Sequence, residues 1–330
     1  MSTRRQFLGG LGAGALAATA SSALVAQDGQ RLLTATDVHV KDYPTVVAIE
    51  WIGQQLQKAT NGRLRLRMYH SGQLGREAEA IDMARFGAID ITRVYSGALN
   101  NAFPLTQVLS LPYVFDSVAH LRRALDGAVG AQVLRGFATR ELVGLAIYDC
   151  GARCFYNARK AIREPGDMHG LKFRVPSSDI FMRLIRLLGG NPTPLAYGEV
   201  FSALQTHLID GAENNLRSFH SSRQFEAAHY WSQSEHSYAP DVLLMSKHSF
   251  DALRADDRAL LLDLARQSVG VMRQQWDESE TAARAALTAA GVRMNDCDLP
   301  AFRKAVEPLL ADYHRVPALE ALYRDVRSLA

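Results

Sequence analysis

The sequence predicts an α/β protein of two units bridged by one long helix, and three observations carry that expectation. Short apolar runs alternate with segments of helical periodicity in the order strand, helix, strand, helix, the pattern of parallel strands joined by crossover helices. The chain has 330 residues, and a single core rarely grows past ~250–300 residues, so two packed units are expected. From about Asp256 to Ala290 the apolar residues Leu260, Leu261, Leu264, Val271, Met272 and Trp276 keep helical spacing. A helix of about 35 residues at ~1.5 Å each spans roughly 50 Å, more than one small domain, so it is expected to lie across both units.

The elements follow in order. Leu32 to Thr36 reads as a buried strand, and Pro44 suits the first turn of a helix whose apolar face is Val47, Ile49, Trp51, Ile52 and Leu56. Asn61-Gly62 is a turn. Leu64, Leu66 and Met68 then alternate with Arg63, Arg65 and Arg67, which predicts a strand with one wet face. Glu77 to Phe86 is a helix stopped by Gly87, and Ile89 to Val94 a third strand. Pro104 to Phe115 reads as an apolar loop, Leu121 to Thr139 as one helix, and Leu142 to Tyr148 as a buried strand. Near Cys150-Gly151 a second unit begins. It carries a strand at Phe173 to Val175, a helix at Asp179 to Leu188, an extended Pro194-Leu195 and a helix at Glu199 to Thr206. Asp241 to Met245 is expected to return as a strand of the first unit.

The first residues, Arg4-Arg5-Gln6-Phe7-Leu8 and then a Gly/Ala-rich apolar run to about Ala20, have the marks of an export signal of twin-arginine form, with cleavage favoured after Ala26. Gly10, Gly12 and Gly14 follow no strand and so do not form a dinucleotide loop. The mature chain is expected to be periplasmic. The formal charge of +3 is interspersed, without a basic stripe, which argues against nucleic acid. Three cysteines, Cys150, Cys154 and Cys297, form no paired ligand runs, and His220, His229 and His236 have no close ligand spacing, so no metal and no cofactor are expected. Three buried or half-buried thiols are the expected state, a Cys150–Cys154 bridge the alternative. No Gly-x-Ser-x-Gly elbow, phosphate loop or His-Glu-x-x-His helix occurs. No nucleophile, base and oxyanion donor can be named together, so no catalytic residue is assigned.

Binding has more support. Arg174 ends a short apolar strand, where a parallel sheet opens towards its ligand, and Arg153 follows the strand ending near Tyr148. A guanidinium presents planar paired donors that match a carboxylate. Two such arginines facing one cleft, with Asn214 and Asn215 near, point to capture of a small organic acid.

The runs around these residues resemble one family. Gly-Leu-Lys-Phe-Arg-Val-Pro ending at Pro176, Leu-Gly-Gly-Asn-Pro-Thr-Pro ending at Pro194, Glu-Val-Phe-Ser-Ala-Leu-Gln-Thr ending at Thr206 and Asp-Gly-Ala-Glu-Asn ending at Asn214 occur in order. Ser71-Gly72-Gln73-Leu74-Gly75 and Leu111-Pro112-Tyr113-Val114-Phe115 accompany them. From about Leu32 to Ala290 the chain resembles the solute-binding subunits of tripartite ATP-independent periplasmic (TRAP) transporters. The resemblance implies a two-lobed, type II-like periplasmic binding fold, with a long helix packed on both lobes and closure around ligand. It places lobe I at 27–150 plus about 240–279, and lobe II at 151–239 plus about 280–330, after a signal at 1–26. It implies that Arg174 pairs with the ligand carboxylate, that Arg153 supports or joins it, and that Asn214 hydrogen-bonds the same end. Similarity to the sialic-acid binders places Glu77, Tyr95, Ser177, Tyr197 and Asp241 at ligand-contacting positions, with Thr36 and His39 facing the cleft. Tyr95 and Ala98 stand where those binders carry an acid and an arginine, which disfavours a nine-carbon acid. Glu77 and Asp241 as acceptors, with rings from Tyr95, Tyr113 and Tyr197, suit a sugar acid.

The run from Gly75 to Glu79 and that from Ile91 to Gly97 are similar to family members that bind glucuronate and galacturonate. Arg93 either enters the pocket or sits in an ion pair beneath it. The alternative ligand is a dicarboxylate or a keto acid; a second strongly basic pocket residue would favour the dicarboxylate, which makes Arg93 the deciding residue, and a periplasmic enzyme acting on a sugar acid, or a sensor partner, is the remaining alternative. The implied partners are a small carboxylate ligand and the membrane subunits of a TRAP permease.

Overall fold

A computed structural model describes residues 29–330, so the expected export signal at 1–26 lies outside the described residues. The apolar runs become β1 (Arg31–Thr36), β2 (Leu64–Tyr69), β3 (Ile91–Tyr95), β4 (Leu142–Tyr148), β5 (Arg153–Asn157), β6 (Lys172–Val175), β7 (Asn191–Pro194), β8 (Gly211–Asn215), β9 (Tyr230–Ser237), β10 (Asp241–Ser246) and β11 (Arg293–Asp296). They form two sheets. The first has the order β2-β1-β3-β10-β4 and the second β11-β9-β5-β8-β6-β7. In the first, β1 runs parallel to β2 and β3 while β10 is antiparallel to β3 and β4. Strand β10 thus returns to the first sheet as expected. The alternation read in β2 holds, with Leu64 buried and Arg65 and Arg67 exposed on an edge strand.

The chain passes between the sheets from β4 to β5 and from β9 to β10. Gly151, in the first crossing, has φ +67, and a Cβ there would stand 3.2 Å from the Trp276 indole nitrogen, so glycine lets the crossing turn against the long helix. That helix runs Ala255–Ala289. Its Leu261, Leu264, Met272 and Trp276 are buried with Ile49, Ile52 and Leu56 of the helix Pro44–Ala59, while Leu287 is buried with Phe219 and Trp231 beside the second sheet. One helix therefore belongs to both cores. It also fixes the crossing by charge: Asp149 accepts from Arg122 at 2.7 Å and from Arg273, on the helix, at 2.6 Å.

Three expectations are corrected. The helix expected from Leu121 to Thr139 is two, Val118–Asp126 and Ala128–Gly136, broken at Gly127. The break brings the chain so close that a Cβ on Gly130 would lie 1.9 Å from the Leu125 carbonyl. The loop expected at Pro104–Phe115 contains a 3-10 turn, Pro104–Thr106, and a short helix, Gln107–Ser110. The stretch around His229 and His236, to which the sequence assigned no element, holds β9. Its Ser232, Ser234, His236 and Ser237 are buried, and the serines are used: the Ser234 hydroxyl accepts from the Phe155 amide at 3.2 Å and that of Ser232 from the Ile162 amide at 3.0 Å. Hydroxyls facing the interior hide a strand from any reading of hydrophobic alternation.

The C-terminal segment also divides differently from the allotment of about 280–330 to lobe II. The helix Leu299–Tyr313 packs on the second half, where Phe302 lies 6.1 Å from the Phe155 ring. The last helix, Pro317–Arg327, reaches back to the first half, where the Val326 carbonyl pairs with the His120 ring nitrogen at 2.8 Å and Arg327 donates to the Val114 carbonyl at 2.9 Å. Its apolar face, Leu319, Leu322 and Val326, is buried in that position.

Candidate functional site

The carboxyl ends of β1, β3, β6 and β8 face one another across the crossings, with the start of β10 and of β5 between them. This is where open α/β sheets receive ligands. A small chamber lies there, lined by Val38, His39, Glu77, Arg93, Tyr95, Cys150, Arg153, Arg174, Tyr197, Asn214, Asn215, Ser218 and Asp241. Of the residues singled out from sequence, His39, Glu77, Arg93, Tyr95, Arg153, Arg174, Tyr197, Asn214, Asn215 and Asp241 line it. Ser177 does not: it is exposed and borders a wider outer cleft with Arg76, Ala98 and Glu199, while its neighbour Ser178 turns inward. Tyr113 is also elsewhere, its hydroxyl donating to the Ser234 carbonyl at 3.2 Å and its ring under Arg303. Thr36 is spent on the Tyr69 carbonyl at 3.1 Å.

The wall from the first sheet is acidic. Arg93 is 1 % exposed, and its fork meets Asp37 (Nε to Oδ1, 3.0 Å), Glu77 (3.0 Å) and Asp241 (3.2 Å). Both alternatives for Arg93 are therefore realised at once, since it lines the chamber and is held in ion pairs there. Glu77, first residue of the helix Glu77–Arg85, also accepts from the Tyr95 amide at 3.0 Å. Burial would raise Asp37, but the charge of Arg93 beside it holds its carboxyl below the usual range. Asp241 goes the other way, pushed up by burial against the pull of Arg93. The Cys150 thiol donates to its second oxygen at 3.0 Å, and burial keeps that thiol protonated by raising its pKa well above the ordinary value. His39 stacks on Tyr43 at 3.7 Å. Burial, then the charge of Arg93, lowers its pKa well below the ordinary value, so the ring is neutral.

The opposite wall is basic. Arg153 is 4 % exposed and makes four hydrogen bonds: Nε donates to Glu213 Oε2 at 2.5 Å, Nη2 to Oε1 at 2.9 Å and to the Glu213 carbonyl at 2.9 Å, and Nη1 to Asn214 Oδ1 at 3.0 Å. Its guanidinium lies 4.4 Å from the Tyr95 ring centroid, and Gly97 makes room for that ring, since a Cβ there would come within 2.3 Å of it. Arg174 differs. It is 5 % exposed, its Nε donates to the Leu195 carbonyl at 2.9 Å, and among the described residues no carboxylate pairs with it. Burial lowers its pKa, as it does for a cation removed from water without a close counter-charge.

Contacts between the walls close the chamber. The Tyr43 and Ser218 hydroxyls hydrogen-bond at 2.8 Å, the His39 ring meets Tyr197 edge-on at 5.0 Å, and Asn100 meets Ser178 at 3.0 Å. At the rim, Arg76 pairs with Glu199 at 2.9 Å. Sequence reading missed Asp37, Glu213, Cys150 and Ser218. The position of Asp37, just past the end of β1, is the same signal that singled out Arg174. Glu213 lies in the Asp-Gly-Ala-Glu-Asn run that resembles the family, but its partner is fixed by the pairing of β5 with β8, which no local signal shows. Cys150 and Cys154 are both free.

Two lobes around one closed, charged chamber, joined by strand crossings and a shared helix, define a solute-binding protein of the two-lobed class. The family described as "Bacterial extracellular solute-binding protein, family 7" matches residues 36–315, and the chain belongs to this family, that of the periplasmic TRAP solute-binding proteins. It is 42 % identical to a TRAP periplasmic solute binding protein of Bradyrhizobium sp. BTAi1 solved in complex with α/β-D-galacturonate, with a TM-score of 0.89, covering 90 % of this chain and 100 % of that one. A Roseobacter denitrificans relative solved with bound β-D-glucuronate is 37 % identical, with a TM-score of 0.87 over 90 % and 99 % of the two chains. A solute-binding protein of Chromohalobacter salexigens is 34 % identical over 88 % of this chain and 87 % of its own. Among the described residues no helix is long and apolar enough to cross a membrane.

Proposed function

We propose that this protein captures a hexuronate of the glucuronate or galacturonate kind and delivers it to the membrane subunits of a TRAP permease, after export by the twin-arginine route. The observation that carries the reading is Arg174: a buried guanidinium at the chamber wall that no carboxylate among the described residues pairs with. A ligand carboxylate there gains charge-assisted hydrogen bonds, each contributing ~1.5–3 kcal/mol where water is excluded. Glu77 and Asp241, at the opposite wall, accept from hydroxyls on the other end of a sugar acid. Relatives solved with galacturonate and glucuronate support the same class.

Arg93 was the residue that would have favoured a dicarboxylate. With Asp37, Glu77 and Asp241 around it, it offers no free charge to a second carboxylate. Membership of a solute-binding family supports binding rather than turnover as the role. Calorimetry of the mature chain tests the reading. Galacturonate or glucuronate is expected to bind at least a hundredfold more tightly than a four-carbon dicarboxylate, and the reverse order would overturn the sugar-acid assignment.

A further inference from the structure

We infer that Glu213, which is not among the residues lining the chamber, sets the number of charges the ligand carries, by cancelling Arg153 so that the site accepts singly charged acids and rejects doubly charged ones. The inference rests on the reading above that Arg174 receives the carboxylate of a sugar acid.

The geometry gives Glu213 that leverage. Its side chain is 0 % exposed, and both its oxygens are taken by the Arg153 fork, at 2.5 and 2.9 Å. The pair is therefore two-pronged and sealed from water, which is where a guanidinium and a carboxylate cancel most completely. Behind it, the His236 ring nitrogen stands 3.4 Å from Glu213 Oε2, and its other nitrogen pairs with the Ser234 hydroxyl at 2.9 Å. Burial lowers the His236 pKa, so His236 stays neutral and does not compete for the Glu213 charge. Although burial alone would raise it, Glu213 is held down to about 2 by the charge of Arg153, with His236 adding to the effect, so it is fully ionised wherever the protein works.

Of the three arginines lining the chamber, two are thus silenced, Arg153 by Glu213 and Arg93 by Asp37 with Glu77 and Asp241. Arg174 remains as the one uncancelled cation, and it matches one carboxylate. A second carboxylate would have to enter a wall that already holds more acid than base. A buried charge acts on every charge of the ligand, so its removal is felt twice by a dianion and once by a monoanion.

Isothermal calorimetry with a hexuronate and with the aldarate of the same sugar, which differs by a second carboxylate, reads the effect as a ratio of affinities. In Glu213→Gln the preference for the monoanion is expected to narrow at least tenfold, because Arg153 regains its charge. In Arg153→Gln, measured at alkaline pH so that Glu213 stays ionised without the arginine that holds its pKa down, the preference is expected to widen. A merely structural role for the pair would move both variants in the same direction, and that result overturns the inference, as does an unchanged ratio in either variant. Should Glu213→Gln not fold, the sign of the Arg153→Gln change still decides. Wild-type protein that binds neither hexuronate would sink the ligand reading itself. Tight wild-type binding with a ratio indifferent to Glu213 would sink the charge-selection inference alone.

Discussion

The two walls of the chamber use the same chemistry in opposite proportions. On the side of the first sheet one arginine, Arg93, is shared among three carboxylates, Asp37, Glu77 and Asp241. On the side of the second, Arg153 is matched by Glu213, and no carboxylate among the described residues pairs with Arg174. Each wall alone carries an excess charge that burial makes costly, negative on one side and positive on the other. A ligand with a carboxylate at one end and hydroxyl donors at the other relieves both excesses at once. It does so only when the walls are together, and differential affinity of that kind is what shifts a binding protein towards its closed state.

The contrast can be broken from either side, and the largest effect is expected at Arg174. Arg174→Ala removes the uncancelled cation, and hexuronate affinity is expected to fall more than a hundredfold, about 3 kcal/mol, since the ligand carboxylate is then buried unpaired. Calorimetry showing wild-type affinity would take Arg174 out of the site.

Acid unfolding separates the walls next. A carboxyl held at about 2 when folded, against 4.5 when free, contributes stability that is complete above pH ~4.5 and is lost as the pH falls towards about 2. For Glu213 that contribution is on the order of 3 kcal/mol. Urea titrations of wild type and Glu213→Gln should therefore converge as pH falls through this window. Asp241 has the opposite sign: its raised pKa means the folded state takes up a proton, so its contribution weakens as pH rises above its free value of 3.8. Asp241→Asn should accordingly flatten the loss on the alkaline side of that value, and parallel profiles for the two variants would erase the distinction drawn between the walls.

Smaller effects belong to the contacts that join them. Tyr43→Phe deletes the hydroxyl bond to Ser218 and is expected to weaken ligand binding about fivefold, near 1 kcal/mol, with folding stability little changed. Arg76→Ala breaks the exposed pair with Glu199 at the rim. It should cost less than ~0.5 kcal/mol and shrink further in high salt, a twofold change in Kd at most. A rim effect equal to that of Arg174 would mean that closure, not the carboxylate, dominates affinity.

Much of this was legible in the chain. Apolar runs bounded by turn signals located β1 to β4, β6 and β10, and unbroken periodicity located the long helix to within a residue or two at each end. Arg174, Arg153, Asn214 and Asp241 were found because strand ends are ligand positions in this kind of sheet and because their flanking runs resemble a family. Strand β9 was not found, since Ser232, Ser234 and His236 face the interior and satisfy one another's neighbours there, leaving no apolar alternation. The break at Gly127 was missed because helix propensity is a local signal, and the close approach at Gly130 is not. Ser177 was taken for a lining residue, where one position along the turn decides which of two serines points inward.

By itself the sequence determined the fold class, the bridging helix, the family and the arginines at the strand ends of the cleft, because periodicity, chain length and strand-end charge are written along the chain. Tertiary structure alone decided which charges are free. Arg93, Arg153 and Arg174 look alike in sequence, and what separates them is a partner 56, 60 or, for Arg174, no number of residues away among the described carboxylates. Charge cancellation depends on distance in space and on the exclusion of water, and neither is defined until the two sheets have packed.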